Sequence, residues 1–376
     1  MVENNGRAAG DAVLAAGAGS ADVSFSDRVL GCVLAGAAGD ALGAPIEFLT
    51  IEQIRERFGP EGVWDYEMSF DDHRGSITDD TQMTLFTLEA MARAHVRLRT
   101  SGTSDVVRVT HRAYLRWLYT QGDTVPRAVL TGQLITEQGI YTRRAPGNTC
   151  LSALRATVDG RRVGTIEHPL NNSKGCGGVM RAAPVALWPG TSAEVFRLGA
   201  ETAALTHGHP SGYLAAGALA VIVRDVLHGG TLADAVANAR AELVGWRGHE
   251  ETVGALDAAV ALAREGRPTP EAVADRLGAG WVAEEALAIA VSAALAATDM
   301  LDGLKIAVNH SGDSDSTGSI CGNILGARDG VRAIPSRLHD HVELRWVIEP
   351  LVLDVLAEFS SEPPVGPAWL ARYPPD

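Results

Sequence analysis

Aromatic residues are scarce in this sequence, 5% of the chain, although hydrophobic residues as a whole make up 46%. An interior with few rings has to be filled by Ala, Val and Leu, and small side chains of that kind suit closely packed helices. Clean alternation of apolar and polar residues is also rare, so nothing predicts a sheet and the expected fold class is all-α. Cysteine is nearly absent: Cys32, Cys150, Cys176 and Cys321 stand far apart with no CxxC pair. That spacing excludes a disulfide framework and a zinc ribbon and points to a reducing cytoplasm. Positive charge is outweighed, with 32 basic against 46 acidic residues, a formal net charge of -14 and no basic arm or stripe. A nucleic-acid partner is therefore not expected. Long apolar runs are lacking too. Val29 to Gly39, Tyr213 to Val223 and Ala286 to Thr298 stop short of the roughly 20 residues a bilayer requires, so they read as buried helices and no membrane is expected. The first residues carry Glu3, Arg7 and Asp11 among Ala and Gly, without the basic start and apolar stretch of a signal peptide. Residues 1–25 read as a loose tail, and residues 26–376 as a single domain, with a monomer favoured.

From Asp27 the pattern turns helical, with Gly31, Ala35, Gly39 and Gly43 at fourfold spacing, a smooth stripe that another backbone can approach closely, and Pro45 ends it. A second helix is predicted from about Asp79 to Arg99, apolar around so much of its circumference that it must be central. Gly147 to Pro184 is rich in Gly and Pro and reads as a loop system. Helical periodicity returns through Ala193 to Leu205 and Gly212 to Leu227, and the polar interruption from Thr206 to Pro210 is a candidate site wall. Leu232 to about Glu265 reads as helical, and a final helix begins near Ser316 with its own smooth stripe of Gly318, Gly322 and Gly326.

Two clusters carry the chemistry: Thr78, Asp79, Asp80, Thr81, and Asp313, Ser314, Asp315, Ser316, Thr317, each at the start of a buried-looking helix. Capping a helix with an oxygen is one reading, because Ser, Thr and Asp accept from free backbone N–H groups. Capping needs only one or two such residues, however. Two like charges about 4 Å apart repel by about 4 kcal/mol at an effective dielectric near 20, so paired aspartates demand a compensating cation. If the clusters converge, their carboxylates and hydroxyls form a hard, all-oxygen set suited to Mg2+ or Mn2+. Glu47, after the turn at Gly43, Ala44 and Pro45, is either a loop acid or a group aimed at that set. Ser173, Lys174, Gly175, Cys176, Gly177 and Gly178 form a Gly-rich loop whose N–H groups can cradle a pyrophosphate or simply turn the chain. Arg181 just beyond adds charge or caps a helix, and His207 and His209 are read as hydrogen-bonding groups rather than a metal pair.

Together these residues resemble the ADP-ribosylglycohydrolase family, through GDALGAPIEF (Gly39 to Phe48), SITDDTQMTL (Ser76 to Leu85), GCGGVMRAAP (Gly175 to Pro184), LTHGHP (Leu205 to Pro210), GWVAEEALAIA (Gly280 to Ala290) and NHSGDSDSTGSICGNILGA (Asn309 to Ala327), in the family's order. The resemblance implies a compact, all-α, multi-helix fold with a binuclear Mg2+ or Mn2+ site between helices. Carried over position by position, it implies Thr78, Asp79, Asp80, Asp313, Asp315 and Ser316 as metal ligands. Asp80 and Glu47 are the candidates for moving the proton, and Ser173, Lys174, Gly175, Gly177 and His207 the substrate-binding groups. The reaction implied is attack of a metal-activated water at the anomeric carbon of ribose, releasing ADP-ribose from a modified protein side chain. The form GDSDSTG looks more like the arginine-directed branch, which favours an N-glycosidic bond. Cys176 and Lys174 depart from the usual phosphate loop. The alternatives are ADP-ribosyl-serine or a small ADP-ribosyl compound as substrate, a non-catalytic ADP-ribose-binding module, and a binuclear phosphoesterase.

Overall fold

The computed structural model describes residues 23–70 and 73–375, so the loose tail expected over residues 1–25 lies, but for Val23, Ser24 and Phe25, outside the described residues. In chain order the helices are α1 (Phe25–Gly43), α2 (Ile51–Phe58), α3 (Asp79–Ser101), α4 (Val106–Thr120), α5 (Asn148–Val158), α6 (Ser192–Ala204), α7 (Pro210–Leu227), α8 (Leu232–Leu243), α9 (Glu250–Arg264), α10 (Pro270–Arg276), α11 (Ala283–Ala296), α12 (Met300–Val308), α13 (Ser314–Asp329), α14 (Ser336–His339), α15 (Arg345–Glu358) and α16 (Pro367–Arg372). Among the described residues no strand forms, and the isolated bridges Met68 to Arg74 and Gly175 to Val282 are the only β pairing. The all-α expectation holds.

The two glycine stripes read from the sequence face each other. A methyl group at Gly31 would lie 2.6 Å from the Gly326 carbonyl oxygen, and methyl groups at Gly39, Gly43 and Gly322 would fall on the carbonyl oxygens of Gly318, Ser314 and Ala35. Residues that rise along α1 meet residues that fall along α13, so the helices are antiparallel and touch backbone to backbone. Only glycine permits this, because any Cβ would occupy the partner's peptide. Asn323 spans the seam by donating to the Cys32 carbonyl oxygen at 2.8 Å. As a result the C-terminal end of α1 is held against the N-terminal end of α13.

This seam makes a prediction of opposite signs for one substitution. Gly318→Ala puts a methyl onto the Gly39 backbone, so thermal or urea unfolding is expected to show a loss of about 3 kcal/mol, at the upper end for overpacking. Gly254→Ala, at an exposed position of α9 with nothing within 4 Å, is expected to gain about 0.5 to 1 kcal/mol from helix propensity. Equal effects at the two positions would remove the seam as the reason for the glycines.

Other elements differ from expectation for local reasons. The helix starting at Asp79 runs to Ser101 and stops at left-handed Gly102. Within the expected loop system, Asn148–Val158 forms a helix, α5. The stretch from Leu232 to Glu265 is two helices, α8 and α9, parted at Val244 to His249 where Gly245 and Gly248 fall. The Asp313 helix is not the last, since α14 to α16 follow it. Phe25–Ile46 and Pro210–Leu227 are long and apolar enough to cross a bilayer, but 83% of each is buried inside the protein, as packed core helices are.

Candidate metal and substrate site

Three helix ends supply the site. The start of α3 carries Thr78, Asp79 and Asp80, the start of α13 carries Asp313, Asp315 and Ser316, and the glycine seam brings the end of α1, with Asp40 and Glu47, beside them. Capping accounts for one residue in each cluster. Thr78 accepts from the Asp80 N–H at 3.2 Å and Asp313 from the Ser316 N–H at 3.3 Å. Asp79 and Asp80 are left over, and Asp315, whose Oδ1 shares the Ser316 N–H at 2.9 Å, is a further acid, each at most 5% exposed. The two clusters do converge: Asp315 is a source of like-charge repulsion at Asp40, Glu47, Asp79, Asp80 and Asp313 alike.

Burial is the first cause of every carboxyl shift here, and neighbouring charge adds to it. Asp79 is pushed up to about 8 by burial, against the Gly147 N–H that donates to its Oδ2 at 2.9 Å, with Asp315 and Asp40 raising it further. Glu47 is pushed up to about 10 by burial, then by Asp315 and Asp313. Asp80 and Asp313 are held well above the ordinary range for the same reasons, and Asp315 is raised by burial while hydrogen bonds, first with Asp313, oppose it. Asp80 Oδ1 is buried with no hydrogen-bond partner. A folded protein rarely leaves such an atom unsatisfied.

The donor set fits a hard divalent cation. One oxygen from each of Glu47, Asp313 and Asp315 can be chosen so that all lie within 4.8 Å of one another. Oxygens sharing an octahedral Mg2+ at about 2.1 Å stand about 3 to 4.2 Å apart, so a small movement of one carboxylate closes the set. Glu47, read from sequence as a proton-handling acid, therefore also lies in ligand range. Cys176 stands at the edge of this set. Its Sγ donates to Asp313 Oδ2 at 2.8 Å and lies 3.6 Å from Ser316 Oγ, and burial followed by the Asp313 and Asp80 charges keeps the thiol protonated.

Asp40 was not among the candidate residues, yet it organises the α3 end. Fully buried on α1, its carboxylate accepts from the Thr78 N–H at 3.0 Å, the Thr81 N–H at 3.1 Å and the Thr81 hydroxyl. Burial and then Asp315 push it up to about 7. The available signal was an acid in an otherwise apolar, glycine-striped helix, where a charge needs a partner.

The expected substrate-binding residues gather beside the carboxylates. The Ser173 hydroxyl lies 3.2 Å from Thr149 Oγ1 and accepts from the Gly175 N–H at 3.3 Å. Gly175 and Gly177 pass over the His207 ring, with a methyl at either falling 3.5 and 3.4 Å from His207 Nε2. Behind the ring, Arg181 Nη2 donates to Thr206 Oγ1 at 2.7 Å, and that hydroxyl lies 2.8 Å from His207 Nδ1. The other ring nitrogen, Nε2, is left facing the loop. Burial and Arg181 hold the ring neutral, with its pKa lowered to about 3. Arg181 is thus a buried strut, stacked over Tyr114 with its guanidinium carbon 4.1 Å from the ring centre, rather than a helix cap. His209 caps α7, its Nδ1 accepting from the Ser211 N–H at 3.2 Å. Lys174 does not point a free charge at the loop: its ammonium is shared between Glu284 and Glu251.

Known proteins resemble this chain in sequence and in fold. The sequence profile of the family described as ADP-ribosylglycohydrolase matches residues 21–364. An ADP-ribosyl-[dinitrogen reductase] glycohydrolase of Rhodospirillum rubrum is 28% identical over 321 residues, covering 83% of this chain and 89% of the relative. An uncharacterized protein of Archaeoglobus fulgidus is 28% identical over 339 residues, 87% of this chain and 95% of that one. A solved structure named ADP-ribosylglycohydrolase-related protein complex superposes with a TM-score of 0.64 at 26% identity, covering 90% of this chain and 99% of its own.

Proposed function

The chain belongs to the ADP-ribosylglycohydrolase family and is a hydrolase that removes ADP-ribose, and on that premise we propose that it cleaves the N-glycosidic bond between ADP-ribose and an arginine side chain, using two Mg2+ or Mn2+ ions. The observation that carries the metal reading is the cluster of Glu47, Asp313 and Asp315 oxygens within 4.8 Å of one another, and Asp80 Oδ1, a buried oxygen with no partner in the protein, supports it. Thr78, Asp79, Asp80, Asp313, Asp315 and Ser316 are the residues we place as ligands, with Glu47 in reach. Bound there, the ions supply Lewis acidity that orients the ribose hydroxyls and lowers the pKa of a water near the anomeric carbon.

The remaining work falls to the protein's own groups. The loop from Ser173 to Gly178 and the Nε2 edge of His207 hold the pyrophosphate and ribose. In the cleavage, the water oxygen bonds to the anomeric carbon, the bond from that carbon to the guanidine nitrogen breaks, and a proton passes from water to the leaving nitrogen. Glu47 is the acid we place in that transfer: it is partly exposed on the turn after α1, whereas Asp80 is 2% exposed and enclosed. The arginine acceptor is supported by the Gly312 to Gly318 run GDSDSTG, which resembles the arginine-directed form.

Mass spectrometry of products tests this reading, with the metal-loaded protein incubated in parallel with ADP-ribosyl-arginine and ADP-ribosyl-serine peptides. Intact ADP-ribose from the arginine peptide is the expected result. Release from the serine peptide alone would overturn the acceptor, AMP would mean cleavage of the pyrophosphate instead, and no release from either would overturn hydrolysis of a protein substrate.

A further inference from the structure

Phe48 and Trp281 are exposed large apolar side chains that stack on each other and stand at the site. Phe48 is 76% exposed and Trp281 43%, and their rings stack with centroids 5.7 Å apart at an interplanar angle of 21°. Each ring is the chain neighbour of a residue at the carboxylates. Glu47, before Phe48, offers an oxygen within 4.8 Å of Asp313 and Asp315. Gly280, before Trp281, has its Cβ direction 3.3 Å from Asp313 Cβ. The pair therefore joins the two sides of the reacting end of the pocket.

Both rings are held by structured backbone. Phe48 lies in a turn closed by the Leu49 N–H donating to the Ile46 carbonyl at 2.9 Å, and the start of α2 just beyond is tied to Ser311 Oγ by the Ile51 N–H at 2.8 Å. Trp281 lies in a loop stitched on both sides. Its carbonyl accepts from the Cys176 N–H at 3.3 Å, and Glu285 accepts from the Ala279 and Gly280 N–H groups at 3.1 and 3.2 Å. Exposed rings fixed in this way present a ready surface at little entropic loss on binding.

We propose that Phe48 and Trp281 form the acceptor-recognition surface, taking the planar guanidinium of an ADP-ribosylated arginine against the aromatic faces. This rests on the N-glycosidic reading given above and adds the residues that read the acceptor. A substituted guanidinium keeps its plane and its charge, is weakly hydrated, and is attracted to the face of a Trp or Phe ring. An acceptor joined through a serine oxygen offers neither plane nor charge, so the same surface discriminates between the two linkages.

Steady-state kinetics of the full-length, metal-loaded enzyme on an ADP-ribosyl-arginine peptide, with calorimetric binding of free ADP-ribose, separates the outcomes. Phe48→Ala and Trp281→Ala are each expected to raise KM about tenfold, the scale of a partly desolvated cation–π contact, with kcat within about twofold because the contact is equal in ground and transition states. Phe48→Tyr and Trp281→Phe, which keep a ring, are expected to restore KM. The Kd for ADP-ribose, which has no acceptor, stays within about twofold. An equal rise in that Kd would assign the pair to the ADP-ribose half and overturn the proposal, as would an unchanged KM in both alanine variants. A wild-type enzyme that leaves the arginine peptide uncut while cleaving the serine peptide would remove the N-glycosidic reading and this surface with it.

Discussion

Asp80→Asn is expected to reduce turnover by at least about a hundred- to a thousandfold, the scale on which loss of one group acting on the transition state is felt, while the metal-free protein becomes harder to unfold. Both effects come from one atom set. Asp80 Oδ1 is buried without a partner, and its carboxyl is held well above the ordinary range by burial first and then by Asp315, Asp40, Asp79 and Asp313. A carboxyl with a raised folded-state pKa stabilises the fold fully only below its unfolded value, near 4, and that contribution is lost as pH rises through the folded value. Asparagine has nearly the same shape and never ionises. In chelator, the Asp80→Asn variant should therefore melt with the wild type near pH 4 and above it at pH 8, with unchanged helical circular dichroism. Asp315→Asn should behave likewise in activity. Retention of full activity by both variants would remove the metal-site reading, and an Asp80→Asn protein less stable than the wild type at pH 8 would show that the carboxylate is satisfied by the protein alone.

The second large effect concerns the metal-free protein as a whole. Asp40 is raised to about 7 and Asp79 to about 8, burial being the main cause of each. Between about pH 4 and pH 8 the native chain therefore binds more protons than the unfolded chain, so its stability falls as pH rises through that window. A divalent cation must displace those protons, so its stabilisation grows with pH and protons are released on binding. With chelator, the melting temperature should be highest near pH 4 and decline toward pH 8. Saturating Mg2+ or Mn2+ at a hundred times Kd adds about 2.7 kcal/mol per site, which should remove most of the decline and shift the pH 8 midpoint by several degrees. Activity should vanish on chelation and return with Mg2+ or Mn2+. Rescue by Zn2+ alone, or a Mg2+ shift as large at pH 5 as at pH 8, would contradict an all-oxygen site built from proton-holding acids.

Residues that announce themselves by spacing were legible before any coordinates. The stripes of Gly31, Gly39 and Gly43 and of Gly318, Gly322 and Gly326 follow a fourfold interval, and four is the interval that keeps residues on one helical face. The clusters at Asp79 and Asp313 were legible because each held more acid than a cap requires. Asp40 showed only as an acid in a largely apolar helix, because its partners, the backbone N–H groups of Thr78 and Thr81, are supplied from the start of another helix. The relay from Arg181 through Thr206 to His207 depends on two loops meeting, and the Phe48 and Trp281 stack on two turns meeting. Neither has a period in sequence. α5 was hidden by the glycines and prolines on either side of it, and the break between α8 and α9 by an uninterrupted run of helix-compatible residues before Gly245.

The backbone contact between α1 and α13 also bears on how such an enzyme can change. Two rods joined through their peptides have no side chains to repack, so the frame carrying Asp40 on one and Asp315 on the other tolerates almost no gradual substitution. Innovation is then channelled to side chains that can change without moving the frame, such as Phe48 and Trp281 on their turns. A lineage could exchange one acceptor for another by revising those side chains while its hydrolytic chemistry stayed fixed, and a laboratory library aimed at new acceptors should be concentrated there.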